Sequence, residues 1–108
     1  MMFLLEDYLR GRMLRIEQSQ FSRLVSTRFR FTDKESGEAI ICEMEVAHPI
    51  ARDRDAVSGY RLVPLKIDWV TVFGVNSYQA LQLAFQIIDP LLDSYRSQYD
   101  IEHWCEEP

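Results

Sequence analysis

Residues 66–95 constrain the fold of this chain most, because they predict a strand, a tight turn and a long amphipathic helix in direct succession. Apolar and polar side chains alternate over residues 62–73, which is the period of a strand. Pro64 either places that strand at an edge of its sheet or marks where it begins. The side chains expected to face the core are Leu65, Ile67, Trp69, Thr71 and Phe73.

The helix has a clear start and two distinct faces. Gly74 permits the turn, Asn76 is a suitable N-cap and Gln79 stands at the capping-box spacing, so we expect a helix from Asn76 to about Ser97. Its apolar face is too broad for a narrow seam, which predicts burial of most of the helix, in the monomer or at an interface. The polar stripe comprises Gln79, Gln82, Gln86, Asp89, Asp93 and Arg96; the apolar face comprises Leu81, Leu83, Ala84, Phe85, Ile87, Ile88, Leu91, Leu92 and Tyr95.

Pro90 allows two interpretations of the second half of this helix. Proline removes the hydrogen bond to the carbonyl of Gln86 and crowds that turn, so a continuous helix would kink near Pro90. Alternatively, Asp89 caps a second helix with Pro90 at its first position. The polar stripe stays in phase across the proline, which favours the kinked continuation.

Two further segments predict a hairpin. Residues 23–31 and 39–47 alternate with period two, and Ser36-Gly37 between them is a plausible two-residue loop. The register set by that loop opposes apolar to apolar and base to acid. The predicted pairs are Phe31 with Cys42, Phe29 with Met44, Arg30 with Glu43 and Arg28 with Glu45.

The remaining segments complete the predicted architecture. Residues 13–20 are a weak strand candidate, and residues 48–61 predict an exposed, mobile loop. The tail after the helix is expected to extend from it and to pack through Ile101 and Trp104. The fold class expected is α+β: an antiparallel sheet of three to four strands with the long helix on one face.

Length and charge restrict the class of protein. The 108 residues fit one domain over 13–108; residues 1–12 are an extension before a second start at Met13, or a short docking helix. The net charge of −5 disfavours nucleic acid as a partner and suits solubility or a basic protein partner.

We expect neither a secretory signal nor a membrane span, hence a cytoplasmic protein. Two free thiols, Cys42 and Cys105, are expected rather than a disulfide.

The sequence predicts no catalytic residue, no metal site and no cofactor. Glu43 and Glu45 share a strand face but are expected to pair with arginines. His48 and His103 stand at no recognised ligand spacing, and Cys42 is expected in the core. The four glycines are too dispersed for a phosphate loop.

One helix covers only one face of the predicted sheet. Ile41, Val70 and Val72 are therefore expected to lie exposed on the other face, unless the N-terminal segment or a second subunit covers them, which makes a homodimer a reasonable hypothesis. The residues predicted to contact a protein partner are Asp53, Asp55, Val70, Val72, Asp100, Glu102, Trp104, Glu106 and Glu107.

The stretch Gly74-Val75-Asn76-Ser77-Tyr78-Gln79-Ala80-Leu81-Gln82-Leu83-Ala84 resembles the G-V-(D/N)-S-x-Q-A-L-x-L-A signature of a small bacterial domain family with no assigned function. The resemblance implies a sheet followed by its last main helix and brings no catalytic residue. Members of that family look similar in scale and architecture to immunity proteins of interbacterial toxin systems. The leading hypothesis is a non-enzymatic protein-interaction module, an immunity protein that neutralises a toxin. The alternatives are a small-ligand sensor or accessory subunit of a bacterial complex and, third, an enzyme.

Overall fold

The computed structural model of the chain describes residues 17–103, which form one antiparallel sheet with a long helix packed against it. The predicted α+β class is confirmed, but six strands replace the three or four expected in this part of the chain. The elements are β1 (Arg23–Asp33), β2 (Ala39–Ala47), β3 (Ile50–Ala51), β4 (Ala56–Val63), β5 (Lys66–Gly74), α1 (Ser77–Tyr95) and β6 (Tyr99–His103).

The sheet has β5 at one outer side and β6 at the other. From β6 the strands run β1, β2 and β4, and β5 pairs with β4. The two-residue β3 also pairs with β4, at Ile50 opposite Val57, in a register one residue away from that of β2. The strand β3 therefore continues β2 along β4 after His48-Pro49.

The β1–β2 hairpin has the predicted strands, but its register differs by two residues from the prediction. Arg28 lies opposite Glu43 and Phe29 opposite Cys42. All four predicted pairs are therefore wrong: Phe31 with Cys42, Phe29 with Met44, Arg30 with Glu43 and Arg28 with Glu45. A shift of two residues leaves every side chain on its original face. The predicted faces of both strands are therefore correct although the pairs are not.

The loop of this hairpin explains the difference. Asp33 Oδ1 accepts the backbone N–H groups of Glu35, at 2.8 Å, and of Ser36, at 3.0 Å. Gly37 adopts a φ of 75° and donates its N–H to the Asp33 carbonyl. These bonds close a loop of four residues, 34–37, where a two-residue loop was predicted.

Residues 48–61 are not a loop throughout, so that prediction is wrong. The strand β4 occupies Ala56–Val63, and the Ser58 hydroxyl donates a hydrogen bond to the Ala47 carbonyl over 2.9 Å. Ala56, Val57 and Ser58 are all buried. A strand that is buried on both faces need not alternate, which is why the period-two pattern is absent here. Pro64 lies in the turn between β4 and β5, not inside a single strand over 62–73.

The helix begins as predicted and ends two residues early. Asn76 Oδ1 accepts the Gln79 N–H at 2.8 Å, while Gln79 Oε1 accepts the Val75 N–H at 2.7 Å. The helix is continuous through Pro90, so a second helix capped by Asp89 is excluded; the kink stays a prediction. Gly74 is required for a close approach, because a Cβ there would lie 2.4 Å from the backbone nitrogen of Ala80.

The core lies mainly between the helix and one face of the sheet. We call the sheet face that the helix covers the helix face. Val72 is buried on it, in contact with Val46 and with Ala84 of the helix. The other face, here called the outer face, carries Trp69, which packs with Phe21 and Ala47. The predicted orientation of β5 is thus inverted: Trp69 is buried as expected, but beneath the N-terminal segment instead of the helix.

Expectations for the two ends of the described chain are partly corrected. Of the weak strand candidate over 13–20, residues 18–20 form a 3-10 turn, and residues 13–16 lie outside the described part. The tail does not extend from the helix but turns back as β6 beside β1. Ile101 packs on the core as predicted, whereas Trp104, Cys105 and residues 1–12 are outside the described range.

Candidate interaction surface

Within residues 17–103, the outer edge of β1 has a neighbouring strand along only part of its length. The strand β6 pairs with β1 from Phe29 to Asp33, and within residues 17–103 no strand lies beside residues 24–27 on that side. Leu24 and Val25 are 39% and 41% exposed. Exposed strand edges with apolar side chains are templates for pairing with another extended segment. We call residues 24–27 the β1 edge.

Two backbone hydrogen bonds show which groups point out of this edge. The Asp33 N–H donates to the Glu38 carbonyl in the hairpin, and the Lys34 N–H donates to the Gln98 carbonyl on the β6 side. Because directions alternate along a strand, even-numbered residues of β1 present their N–H and C=O groups to the β6 side. Ser26 therefore directs both of its backbone groups out of the β1 edge.

Ion pairs organise the outer face next to this edge. Arg28 Nε donates to Glu43 Oε1 at 2.9 Å, which holds the pKa of the Glu43 carboxyl below its usual value. Arg30 Nη1 lies 3.3 Å from Glu102 Oε1, across the β1–β6 pair. These charges are matched across neighbouring strands, which is the arrangement of cross-strand pairs that stabilise a sheet.

A buried carboxylate anchors the same face further from the edge. Glu45 is 4% exposed and accepts from Arg61 Nε at 2.6 Å; Arg23 Nη1 lies 3.7 Å from its other oxygen. The Arg61 guanidinium stacks over the Trp69 ring, 4.3 Å from the centroid. This row of side chains joins β2, β4 and β5 on the outer face.

The opposite edge of the sheet, formed by β5, is capped by a side chain. The side chain of Gln18 accepts the Trp69 N–H at 2.6 Å and donates to the Trp69 carbonyl at 3.2 Å. One glutamine side chain thus takes the place of a neighbouring strand at the middle of β5.

The predicted contact residues are scattered by the fold. Asp55 pairs with Arg52 in the turn between β3 and β4, which lowers the pKa of its carboxyl, and Asp53 is exposed beside it. Asp100 and Glu102 are exposed on β6. The expected exposure is wrong for Val72, which the helix covers; Val70 shares that face and is half-buried, and Ile41 is exposed on the outer face. The predicted contact residues Trp104, Glu106 and Glu107 are outside the described range.

The β1 edge was missed by the sequence reasoning, although a signal was present. Tyr99 and Ile101 alternate with Asp100 and Glu102, which is the period of a strand. That alternation predicts a strand over these residues, but it does not show that the strand pairs with β1.

The helix carries a groove on its solvent-exposed side. A groove of about 510 Å³ is lined by Tyr78, Leu81, Gln82, Phe85, Gln86 and Asp89. Tyr78 is 76% exposed and Phe85 45% exposed, so the helix is less buried than the breadth of its apolar face predicts.

The potential metal ligands of residues 17–103 are dispersed. No group of three His, Cys, Asp or Glu side chains in this range could hold a metal ion. Cys42 is fully buried, and burial raises the pKa of its thiol to about 11, which leaves it protonated at neutral pH. No helix in this range is long and apolar enough to cross a membrane.

Comparisons with known proteins give no relative from which a role could be transferred. Neither a family model, nor a curated protein, nor a solved structure matches the chain.

Proposed function

We propose that this chain is a non-enzymatic protein-interaction module that acts as an immunity protein and neutralises a bacterial toxin. The observation that carries the proposal is the β1 edge, where Ser26 directs its backbone donor and acceptor away from the sheet. An extended segment of a partner can add to such an edge, with backbone hydrogen bonds for affinity and side-chain contacts for specificity.

The side chains around the edge suit a protein partner. Leu24, Val25 and Ile41 are exposed and supply apolar contact area beside the backbone groups. The chain carries a net charge of −5, and several of its arginines are engaged in ion pairs within the fold. The partner strand is therefore expected to belong to a basic protein, attracted at low ionic strength.

Capture from lysate of the native host tests this proposal when two variants are compared. Ser26→Pro removes the outward N–H without removing a bond to β2, whereas Ser26→Ala keeps that N–H. We expect wild type and Ser26→Ala to retain a common basic protein, and Ser26→Pro to lose it. Urea denaturation of both variants confirms that each is folded. Equal capture by folded Ser26→Pro and Ser26→Ala would exclude the β1 edge as the binding site.

The immunity role needs a further readout. The captured protein is expected to arrest growth when it is expressed alone, and to be harmless when this chain is expressed with it. A captured protein that is harmless alone contradicts the toxin-neutralising role while leaving the interaction intact.

A second candidate function is a small-ligand sensor or accessory subunit, and the groove on the helix favours it. Its volume of about 510 Å³ lies within the usual range of roughly 300–1,000 Å³ for ligand pockets. A thermal-shift screen against a metabolite library tests this role, with Phe85→Glu as the control variant. A ligand that stabilises wild type but not Phe85→Glu would support the sensor, and a screen without any such ligand would count against it.

A further inference from the structure

We propose that two copies of the chain associate through the groove on α1, with the two helices antiparallel about a two-fold axis. The inference goes beyond the proposed function, because it concerns the helix and not the β1 edge, and either can be correct without the other. It moves the homodimer hypothesis from the uncovered sheet face to the helix.

The groove is shaped by a single helix, which is the first argument. All the described residues that line it belong to α1, from Tyr78 to Asp89. The buried Ala80 and Ala84 lie on the opposite side of the helix, so the groove faces away from the sheet. A second helix can therefore lie along it without meeting the sheet, by the packing of side-chain ridges into grooves.

The side chains of the groove supply the second argument. Within residues 17–103, the only exposed tyrosine and phenylalanine side chains are Tyr78 and Phe85, and both line the groove. They lie two turns apart on one side of the helix, with the half-buried Leu81 between them. Aromatic side chains are enriched at the centres of protein interfaces, so this arrangement predicts a protein contact.

Charge decides the orientation of the two helices. Among the described residues that line the groove, Asp89 alone is charged. A parallel pairing in register brings the two Asp89 carboxylates together, which is unfavourable. The antiparallel pairing separates them and places each Asp89 beside Tyr78 of the other copy. The Tyr78 hydroxyl then donates a hydrogen bond to that carboxylate, and the two-fold axis forms the bond twice.

The antiparallel pairing also joins the apolar side chains at the centre. The axis passes midway between Tyr78 and Asp89, so Leu81 of one copy contacts Phe85 of the other. The interface spans only about three helical turns. It is therefore smaller than a standard interface of roughly 800 Å² per partner, and the dimer dissociates in dilute solution.

Sedimentation equilibrium of the full-length chain, over a range of concentrations, tests the inference with two substitutions. Tyr78→Glu places a second carboxylate beside Asp89 of the other copy, and should raise the dimer dissociation constant at least about tenfold. Asp89→Lys added to Tyr78→Glu replaces that repulsion by an ion pair, and should restore the constant to within about fivefold of wild type. In one copy these two positions are about 16 Å apart along the helix, so the rescue acts between copies.

Ile67→Glu is the matched control, because Ile67 is 60% exposed on β5 and lies outside the groove. It should leave the dissociation constant unchanged, and urea denaturation confirms that each variant is folded. Equal weakening by Ile67→Glu would show that added charge alone disrupts association, which overturns the inference.

Two further results would contradict the pairing of the helices. A wild-type chain that sediments as a monomer at every concentration would overturn the dimer and leave the groove to a small ligand or to another segment. A dimer that survives Tyr78→Glu, or that Asp89→Lys does not restore, would overturn the antiparallel contact of Tyr78 with Asp89.

Discussion

The outer edges of β5 and β1 are covered by different kinds of contact. At β5, the side chain of Gln18 bonds both backbone groups of Trp69, and Phe21 packs on the Trp69 ring. At β1, the strand β6 covers the residues from Phe29 onward and no more within the described range. Both contacts are anchored by burial, because Phe21 and Trp69 are buried together and because Tyr99 and Ile101 of β6 pack on the core. The comparison therefore assigns a structural role to the Gln18 cap and to β6, and among the described residues it leaves the β1 edge as the place where a partner strand can pair.

The largest expected effect lies on the β5 side. Replacing Phe21 by alanine should lower the free energy of unfolding by about 3 kcal/mol, because its buried ring is lost from the cluster with Trp69 and Ala47. Urea denaturation measures this loss. Phe85→Ala on the exposed side of the helix is the control and should cost less than about 1 kcal/mol. Equal losses in the two variants would show that the N-terminal segment does not anchor the β5 side.

A smaller effect is expected when the side-chain cap itself is removed. Gln18→Ala leaves the N–H and C=O of Trp69 without their side-chain partners, and should cost about 1–2 kcal/mol. Hydrogen exchange of the Trp69 amide should accelerate in parallel. Gln20→Ala, which removes an exposed bond to the Glu17 N–H, is the matched control and should leave that amide unchanged. An unchanged Trp69 amide in Gln18→Ala would contradict the cap.

The smallest effect concerns the hairpin loop, where β1 meets the start of β6. Hydrogen bonds from the backbone N–H groups of Ser36 and Glu35 hold the pKa of Asp33 below its ordinary value of 3.8. A carboxyl with a lowered native pKa stabilises the fold above its ordinary pKa and loses that contribution as the pH falls through the native pKa. The urea midpoint of wild type should therefore fall more between pH 6 and pH 3 than that of Asp33→Asn. If the urea midpoints of both proteins fell equally between pH 6 and pH 3, that result would contradict the role of this carboxylate.

The sequence predicted the elements that turn an apolar side to the core and a polar side to solvent. Alternation located β1 and β2, and the Asn76 cap located the start of the helix, because each of these signals acts within a few residues. The strand β4 was missed because its buried Ala56-Val57-Ser58 run does not alternate. The hairpin register was missed because the Asp33 side chain, and not the Ser36-Gly37 pair, sets the length of the loop.

The candidate surface was less predictable than the fold. Asp100 and Glu102 were predicted to contact a partner from a tail that extends from the helix, whereas they lie on a strand beside β1, and that pairing joins residues far apart in sequence. Val72 was assigned to the wrong face because a strand covered on both faces gives no local signal for which side the helix occupies. The β1 edge can be recognised only from the β1–β6 pairing, which is a contact of the folded chain.

The measurement that tests the central claim most directly is amide hydrogen exchange, read at Ser26 and Trp69. The Ser26 N–H points out of the β1 edge, whereas the Trp69 N–H on β5 is bonded to the Gln18 side chain. We predict that Trp69 exchanges at least about tenfold more slowly than Ser26 after correction for intrinsic rates, which corresponds to roughly 1.4 kcal/mol of added protection. A Ser26 amide that exchanges as slowly as Trp69 would contradict the claim that the β1 edge is open to a partner strand and the β5 side is not.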